Sequence, residues 1–469
     1  MHKNLLYYLL PSIVRGGANL FIVIPLTTYY LDPYHFGIVG IITVFSGIVT
    51  PLSSVGLVWV LGGNYFKIST RERAELIFNA LVVNIILRTV WVLLLGIGAY
   101  FLLPLCIVSF KPQFILFFWL FLGAEWLNSL WEVVSYVIIL QKRGGVFTLC
   151  EVFQTIIHLG VLSLCLVGLR LKTLSLVLAN LGYALGGFIF SAVYIRRYII
   201  KKINIHWIKE SIKLTFPTIP QNLFNYLSQS LDRFFIERWN TLSQLGIYTH
   251  SLTYKKMFMI PIKAYSRTCS PTIIEIFSKS TEKETRVKIV RTFVRKWFGL
   301  LSIGGCGVVL FTREFLNLFT HGKFLKAYPL IIMWFILMQI YSFGLLYSQF
   351  FFAHKRMKFI ILTEIIIGSI FWIIIAFLVK IYGIIGGGGG VIGYFFVLYS
   401  LRKWYALKLG CYNLDKNYFW ISLGIMVGLL IFKVNMYPLE TKISIWIIIS
   451  ILLTIFFKIV PFSKNIKRC

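Results

Sequence analysis

Apolar residues in this chain run in long blocks and do not alternate with polar ones. A membrane-spanning α-helix needs about 20 mainly apolar residues. Blocks of that length recur at roughly 10–30, 36–60, 76–103, 113–139, 146–168, 174–195, 212–237, 244–273, 292–312, 325–352, 359–380, 384–407, 417–433 and 442–460. A membrane β-barrel would alternate over segments of about ten residues, whereas Phe350-Phe351-Phe352 and Ile365-Ile366-Ile367 are continuous. Lipid offers backbone amides no hydrogen-bonding partner, so such blocks must be helices. The pattern predicts an all-α integral membrane protein with about 14 transmembrane helices, numbered here as spans one to fourteen.

Composition supports lipid as the solvent. The 469 residues are 58% hydrophobic and 13% charged, with a mean hydropathy of +0.82, which a water-soluble domain could not carry without large exposed apolar patches. The first span follows a single lysine, Lys3, and shows no short apolar region ending in small residues. It is therefore expected to stay rather than be removed as a signal peptide.

The formal net charge is +31, which in a soluble protein would point to nucleic acid. Here the basic residues follow the loops. Lys67, Arg71 and Arg73, then Lys142 and Arg143, then Arg196, Arg197, Lys201, Lys202 and Lys209 fall in even-numbered loops. The bias continues through Lys279, Lys283, Arg286, Lys288 and Arg291, Lys355, Arg356 and Lys358, and Arg402, Lys403, Lys408 and Lys416. Odd-numbered loops hold only one or two basic residues each. By the positive-inside rule both termini are cytoplasmic and the number of spans is even. Much of the charge then meets anionic lipid headgroups, and no nucleic-acid partner is expected.

The chain also resembles itself at an offset near 209. Leu31-Asp32-Pro33-Tyr34-His35-Phe36-Gly37-Ile38 after span one answers Asn240-Thr241-Leu242-Ser243-Gln244-Leu245-Gly246-Ile247 after span seven. Lys142 precedes Glu151 by nine residues, as Lys355 precedes Glu364, and Arg196-Arg197 answers Arg402-Lys403. Glycines crowd span six at Gly182, Gly186 and Gly187, and span twelve from Gly383 to Gly393. Each landmark is weak alone, but they occur in the same order. Six crossings is an even number, so the copies share one orientation and form parallel repeats about an axis along the membrane normal. The expected organisation is an N-terminal lobe over 1–206 (spans one to six), a C-terminal lobe over 207–408 (spans seven to twelve), and spans thirteen and fourteen with a cytoplasmic tail over 409–469. Two parallel six-helix lobes form a transporter architecture that can rock about a midplane site.

Charges inside spans need a local account, because each costs about 2.5–3.5 kcal/mol at the bilayer centre. Span eight carries Lys255, Lys256, Lys263 and Arg267. At about 100° per residue, Lys256, Lys263 and Arg267 share one helix face. Left unneutralised in lipid they would cost roughly 8–10 kcal/mol, so they are expected to face water. Lys255 can instead snorkel from near the outer end. Arg15 and Arg88 add candidate cations. The acids are Glu125 and Glu132 on one face of span four, Glu151, Asp232 and Glu364. Asp232-Arg233 reads equally as an ion pair near the outer surface or as a gate, and Glu151 and Glu364 are expected to pair with basic residues at the cytoplasmic surface rather than to contact substrate. His158 is expected to be a hydrogen-bonded packing residue. A cavity with excess positive charge selects anions, and both arginine and lysine suit phosphate oxygens.

Other chemistry finds little support. Gly386 to Gly390 has no Lys-Ser/Thr pair after it and no strand before it, so close helix packing is expected there rather than a phosphate loop. The seven cysteines show no Cys-x-x-Cys spacing, and no metal site, disulfide framework or cofactor is expected. No His-Glu-x-x-His or Gly-x-Ser-x-Gly pattern occurs, and the loops are short for a catalytic domain.

With the halves laid out, the sequence resembles the polysaccharide-transport branch of the multidrug/oligosaccharidyl-lipid/polysaccharide exporter superfamily, the Wzx-type flippases. The resemblance is carried by Asn19 to Pro25, Leu31 to Gly37, Pro217-Thr218-Ile219-Pro220, Ser230-Leu231-Asp232-Arg233-Phe234-Phe235-Ile236 and Leu245-Gly246-Ile247-Tyr248. It implies a V-shaped, multidrug-exporter-like pair of six-helix lobes plus two C-terminal helices, in a bacterial inner membrane. It also implies a flippase, not an enzyme, that moves an undecaprenyl-pyrophosphate-linked oligosaccharide, an O-antigen or capsule repeat unit, to the periplasmic leaflet. Polysaccharide polymerase and chain-length proteins are candidate partners. In that reading Arg15, Arg88, Lys256, Lys263 and Arg267 hold the pyrophosphate. Glu125, Asp232 and Arg233 are candidates for gating or for coupling to a proton or sodium gradient. A cation-coupled multidrug or small-molecule antiporter of the same superfamily is the alternative.

Overall fold

The computed structural model describes residues 10–11, 13–53, 61–62, 64–216, 219–278, 283–354, 357–414, 417–433 and 436–459, without side chains at 214–215, 221, 263–278, 283–286, 352–353 and 357–358. Among the described residues every regular element is a helix. Nine helices are long and apolar enough to cross a membrane, one of them the 50-residue Phe359–Lys408. That helix holds two spans: Gly383 has φ 58 and ψ −137, a conformation that glycine adopts without a Cβ penalty. Counting it as two, and adding spans one, seven, eight and thirteen, gives fourteen segments among the described residues, as the apolar blocks predict.

Span one covers 13–30 and contains a π-turn, Asn19–Val23. Span two, Pro33–Ser53, is interrupted after Ser46. Spans three to six are Thr70–Cys106, Gln113–Leu140, Gly144–Gly168 and Thr173–Ile195. The sequence pattern begins span seven at 212, but the structure differs. Ile205–Thr215 is a separate amphipathic linker helix, and span seven is Ile219–Ser228 followed by Leu231–Trp239. Pro217 and Pro220 lie where the two meet in sequence; proline suits a helix's first turn and breaks its interior. Span eight is Leu242–Ser278, nine Lys283–Thr320, ten Tyr328–Ala353, thirteen Tyr418–Ile431 and fourteen Leu439–Phe456.

The chain divides into two compact units, Met1–Thr249 and His250–Cys469. In the first, span seven is fastened by the Glu237 carboxylate, which accepts from the Val108 and Ser109 amides at 3.2 and 2.9 Å and from the Ser109 hydroxyl at 2.6 Å. Glycine governs the packing of spans six and twelve on their predecessors. A Cβ at Gly186 would lie 2.8 Å from Ile157 in span five, and one at Gly390 would lie 2.6 Å from Ile375 in span eleven. Gly386, Gly388 and Gly390 of the run therefore serve close packing, as Gly182, Gly186 and Gly187 do in span six, while Gly389 meets nothing within 4 Å.

In the second unit span fourteen is tied to span nine by charge. Lys442 of span fourteen is 1% exposed and donates to Glu314 of span nine. Trp446 Nε1 donates to the Ile303 carbonyl at 3.2 Å.

Candidate functional site

Spans three and four are joined by a polar ladder. Asn84 donates to the Ser129 carbonyl at 2.8 Å, and Trp126 Nε1 donates to Thr89 Oγ1 at 2.8 Å. Between them lies Arg88, 1% exposed. One guanidinium nitrogen donates to the Glu125 carbonyl and carboxylate at 3.0 and 3.3 Å, the other to Glu132 at 2.5 Å. Glu125 and Glu132 are seven residues apart, two turns along one face, so a single guanidinium reaches both. Thr50 of span two adds a hydrogen bond to Glu125 at 2.7 Å.

Two carboxylates facing one buried cation leave this cluster short of positive charge. Arg88 is thus committed to Glu125 and Glu132 inside the first unit, and is not a bare cation. The glutamates remain partly exposed, at 25% and 32%, so the groups offered to a ligand here are carboxylate oxygens.

Arg15 sits in a second polar group formed by spans one, five and six. It donates to the Tyr183 hydroxyl at 2.8 Å, lies 4.3 Å from the centre of that ring, and is 4.0 Å from Glu151. Tyr183 in turn donates to Glu151 at 2.9 Å. Arg15 keeps half of its side chain exposed. Asn19, Thr155, His158 and Tyr183 line a pocket beside it, where the π-turn begins. The expected pairing of Glu151 with a basic residue is present, and His158 bonds the Ala179 carbonyl at 3.0 Å as a packing residue.

Asp232 and Arg233 part company. Asp232, 1% exposed, accepts from the Tyr248 hydroxyl and from the Arg233 amide. The Arg233 guanidinium turns to span two, reaching the Gly40 carbonyl at 3.4 Å and Thr43 Oγ1 at 3.2 Å, and bonds Ser230 at 3.0 Å. Tyr226 donates to the Thr43 and Val44 carbonyls, both at 2.9 Å. The Thr43 carbonyl also accepts from the Gly47 amide at 3.1 Å where span two is interrupted, and residues 229–230 break span seven nearby. Tyr226 and Arg233 therefore clamp two interrupted helices together beside their breaks. The adjacency of Asp232 and Arg233 in sequence suggested an ion pair, but neighbouring positions point to different helix faces.

Span eight places Lys255 4.9 Å from the centre of the Trp334 ring, whose Nε1 donates to Ser251 at 2.8 Å. Lys256 is exposed. Lys263 and Arg267 lie in the same helix, and their side chains are outside the described residues. In span eleven, Glu364 accepts from Arg402 of span twelve at 2.7 Å, the pairing expected for it. Glu132 and the Tyr226 clamp carried no role in the sequence reading. For Glu132, the signal was its seven-residue spacing from Glu125.

Comparison with known proteins adds three findings. Residues 30–318 match the profile of the family described as "Polysaccharide biosynthesis protein". Among solved structures, the lipid II flippase MurJ in an inward closed conformation superposes with a TM-score of 0.73 at 13% identity, covering 98% of this chain and 98% of that one. A MATE transporter of Vibrio cholerae gives 0.55 at 14% identity over 89% and 97%, and a eukaryotic MATE transporter gives 0.58 at 11% over 90% and 98%. No curated protein matches the sequence.

Proposed function

Given that the chain belongs to the polysaccharide biosynthesis protein family, we propose that it is a flippase for an undecaprenyl-pyrophosphate-linked oligosaccharide. The cargo in this reading is an O-antigen or capsule repeat unit, carried to the periplasmic leaflet of a bacterial inner membrane by alternating access. The observation that carries the proposal is the extent of the match to a lipid flippase, 98% of both chains. The MATE transporters named above leave about a tenth of this chain uncovered.

In this reading the sugars travel in an aqueous cleft while the lipid tail stays in the bilayer. Lys256, Lys263 and Arg267, which the helical period puts on one face of span eight, hold the pyrophosphate, because lysine and arginine suit phosphate oxygens and cations within a span are favoured by an anion or water. Arg15, half-exposed beside its pocket, is a further anion contact. Arg88 has a different part, as the fixed counter-ion that positions Glu125 and Glu132. Those carboxylates, with Asp232, are the candidates for proton or sodium coupling.

The same carboxylates favour the second reading, a cation-coupled multidrug antiporter. Ethidium efflux that depends on Glu125 would support it, whereas transport of lipid-linked oligosaccharide that falls with Lys263→Ala and Arg267→Ala supports the flippase. Unchanged oligosaccharide transport in both variants would remove span eight from the site.

A further inference from the structure

The helix between spans six and seven, Ile205–Thr215, is too short and too polar to cross a membrane, yet it is built in three sectors. At about 100° per residue, Trp207 and Ser211 fall on one side. Both are buried, and Trp207 joins the core cluster that includes Leu76, Ala80, Val134 and Ile195. Roughly opposite, Ile205, Ile212 and the capping residue Phe216 form a stripe about 40° wide that is 65%, 47% and 73% exposed. Lys209 and Lys213 form an exposed row immediately beside that stripe.

The helix is held in this rotation. Asn79 of span three donates to the Lys202 carbonyl at 2.9 Å and accepts from the Asn204 amide at 2.9 Å. Asn204 also caps the helix, accepting from the His206 amide at 3.0 Å. The nearby acids are engaged elsewhere: Glu75 with Lys202 at 3.6 Å, and Glu210 with Asn64 at 3.0 Å and His206 at 3.6 Å. Exposed Arg196, Arg197 and Lys201 precede the helix.

An apolar stripe alone would fit many partners. A stripe edged by lysines on a helix that is otherwise packed against membrane spans fits the boundary between acyl chains and headgroups, with the lysines at the phosphates. We propose that Ile205–Phe216 is an interfacial element that binds anionic phospholipid, with Ile205, Ile212 and Phe216 in the acyl boundary and Lys209 and Lys213 on the headgroups. The excess of basic residues in this loop puts the surface on the cytoplasmic leaflet. The inference rests on the membrane location of the chain and is independent of its cargo.

The test uses the full chain with a photo-crosslinking residue, benzoylphenylalanine, in place of Ile212. The protein is reconstituted in phosphatidylcholine vesicles containing phosphatidylglycerol, with one lipid or the other radiolabelled. Label transfer from phosphatidylglycerol should exceed its share of the bilayer several-fold. Lys209→Gln with Lys213→Gln should bring that transfer down to near the lipid's share of the bilayer, a several-fold loss and within what about 1 kcal/mol per basic residue allows, and Lys209→Arg with Lys213→Arg should keep the preference. Should the glutamine pair misfold, raising salt on the unmodified lysines should erode the preference through screening. Equal transfer from both lipids, a preference that ignores salt and both substitutions, or crosslinking in native membranes to protein and not to lipid would each overturn the proposal.

Discussion

Gly37 and Gly246 meet backbone to backbone, each at the start of a span. A Cβ on Gly37 would collide with the Leu242 carbonyl, and a Cβ on Gly246 would collide with the Pro33 carbonyl. Pro33 and Leu242 are 209 residues apart, as are the two glycines. The contact, which lies within the first unit, is therefore reciprocal, position for position, at the offset of the sequence similarity. What the sequence offers as a faint similarity is here a single packed contact.

Gly37→Ala and Gly246→Ala should each destabilise by about 1–3 kcal/mol, the usual cost of overpacking. Once one methyl has spread the two turns, the second finds room, so the double variant should cost clearly less than the sum. Melting temperatures of the purified protein, measured for both singles and the double, check this. Additive shifts would mean that the turns do not share one contact.

Removing Arg88 leaves two carboxylates unpaired in a poorly solvated site, and breaking a buried pair costs about 3–5 kcal/mol. Arg88→Met should therefore sharply lower the yield of monodisperse protein. Adding Glu125→Gln and Glu132→Gln should recover much of it, because the uncompensated charge goes with them. Size-exclusion profiles of the three variants decide; a triple variant no better than Arg88→Met would show that the guanidinium acts through packing.

The spans and the repeat were legible because both depend on local periodicity: apolar blocks, glycine spacing, and lysines placed by loop. Arg88 was readable as a buried charge but not as a partner of Glu125 and Glu132, since pairing between spans depends on how two helices rotate against each other. The linker helix escaped for another reason. Its apolar stripe runs into the hydropathy of span seven, so one block covered two elements. Asp232 and Arg233 misled because adjacency in sequence resembles pairing, while the helix sends them to different neighbours.

Lys442 shows the same limit at the end of the chain, where a charge at the beginning of span fourteen is a buried anchor to Glu314. Lys442→Met should loosen span fourteen and lower the melting temperature, and Glu314→Gln added to it should restore part of the loss, since it removes the carboxylate that has lost its cation. Protease accessibility of the segment between spans thirteen and fourteen should rise in Lys442→Met and fall back in the double variant. Equal accessibility in all three would detach the pair from any anchoring role.

The central claim is transport of a lipid-linked, pyrophosphate-bearing oligosaccharide. Its most direct measurement is transbilayer movement of that lipid in vesicles containing the purified protein, read by access of a membrane-impermeant sugar-modifying reagent. Substrate should cross in vesicles with the protein and stay put in empty ones, and Lys263→Ala with Arg267→Ala should slow it at least tenfold. No movement above that of empty vesicles, with the protein folded and inserted, would contradict the account.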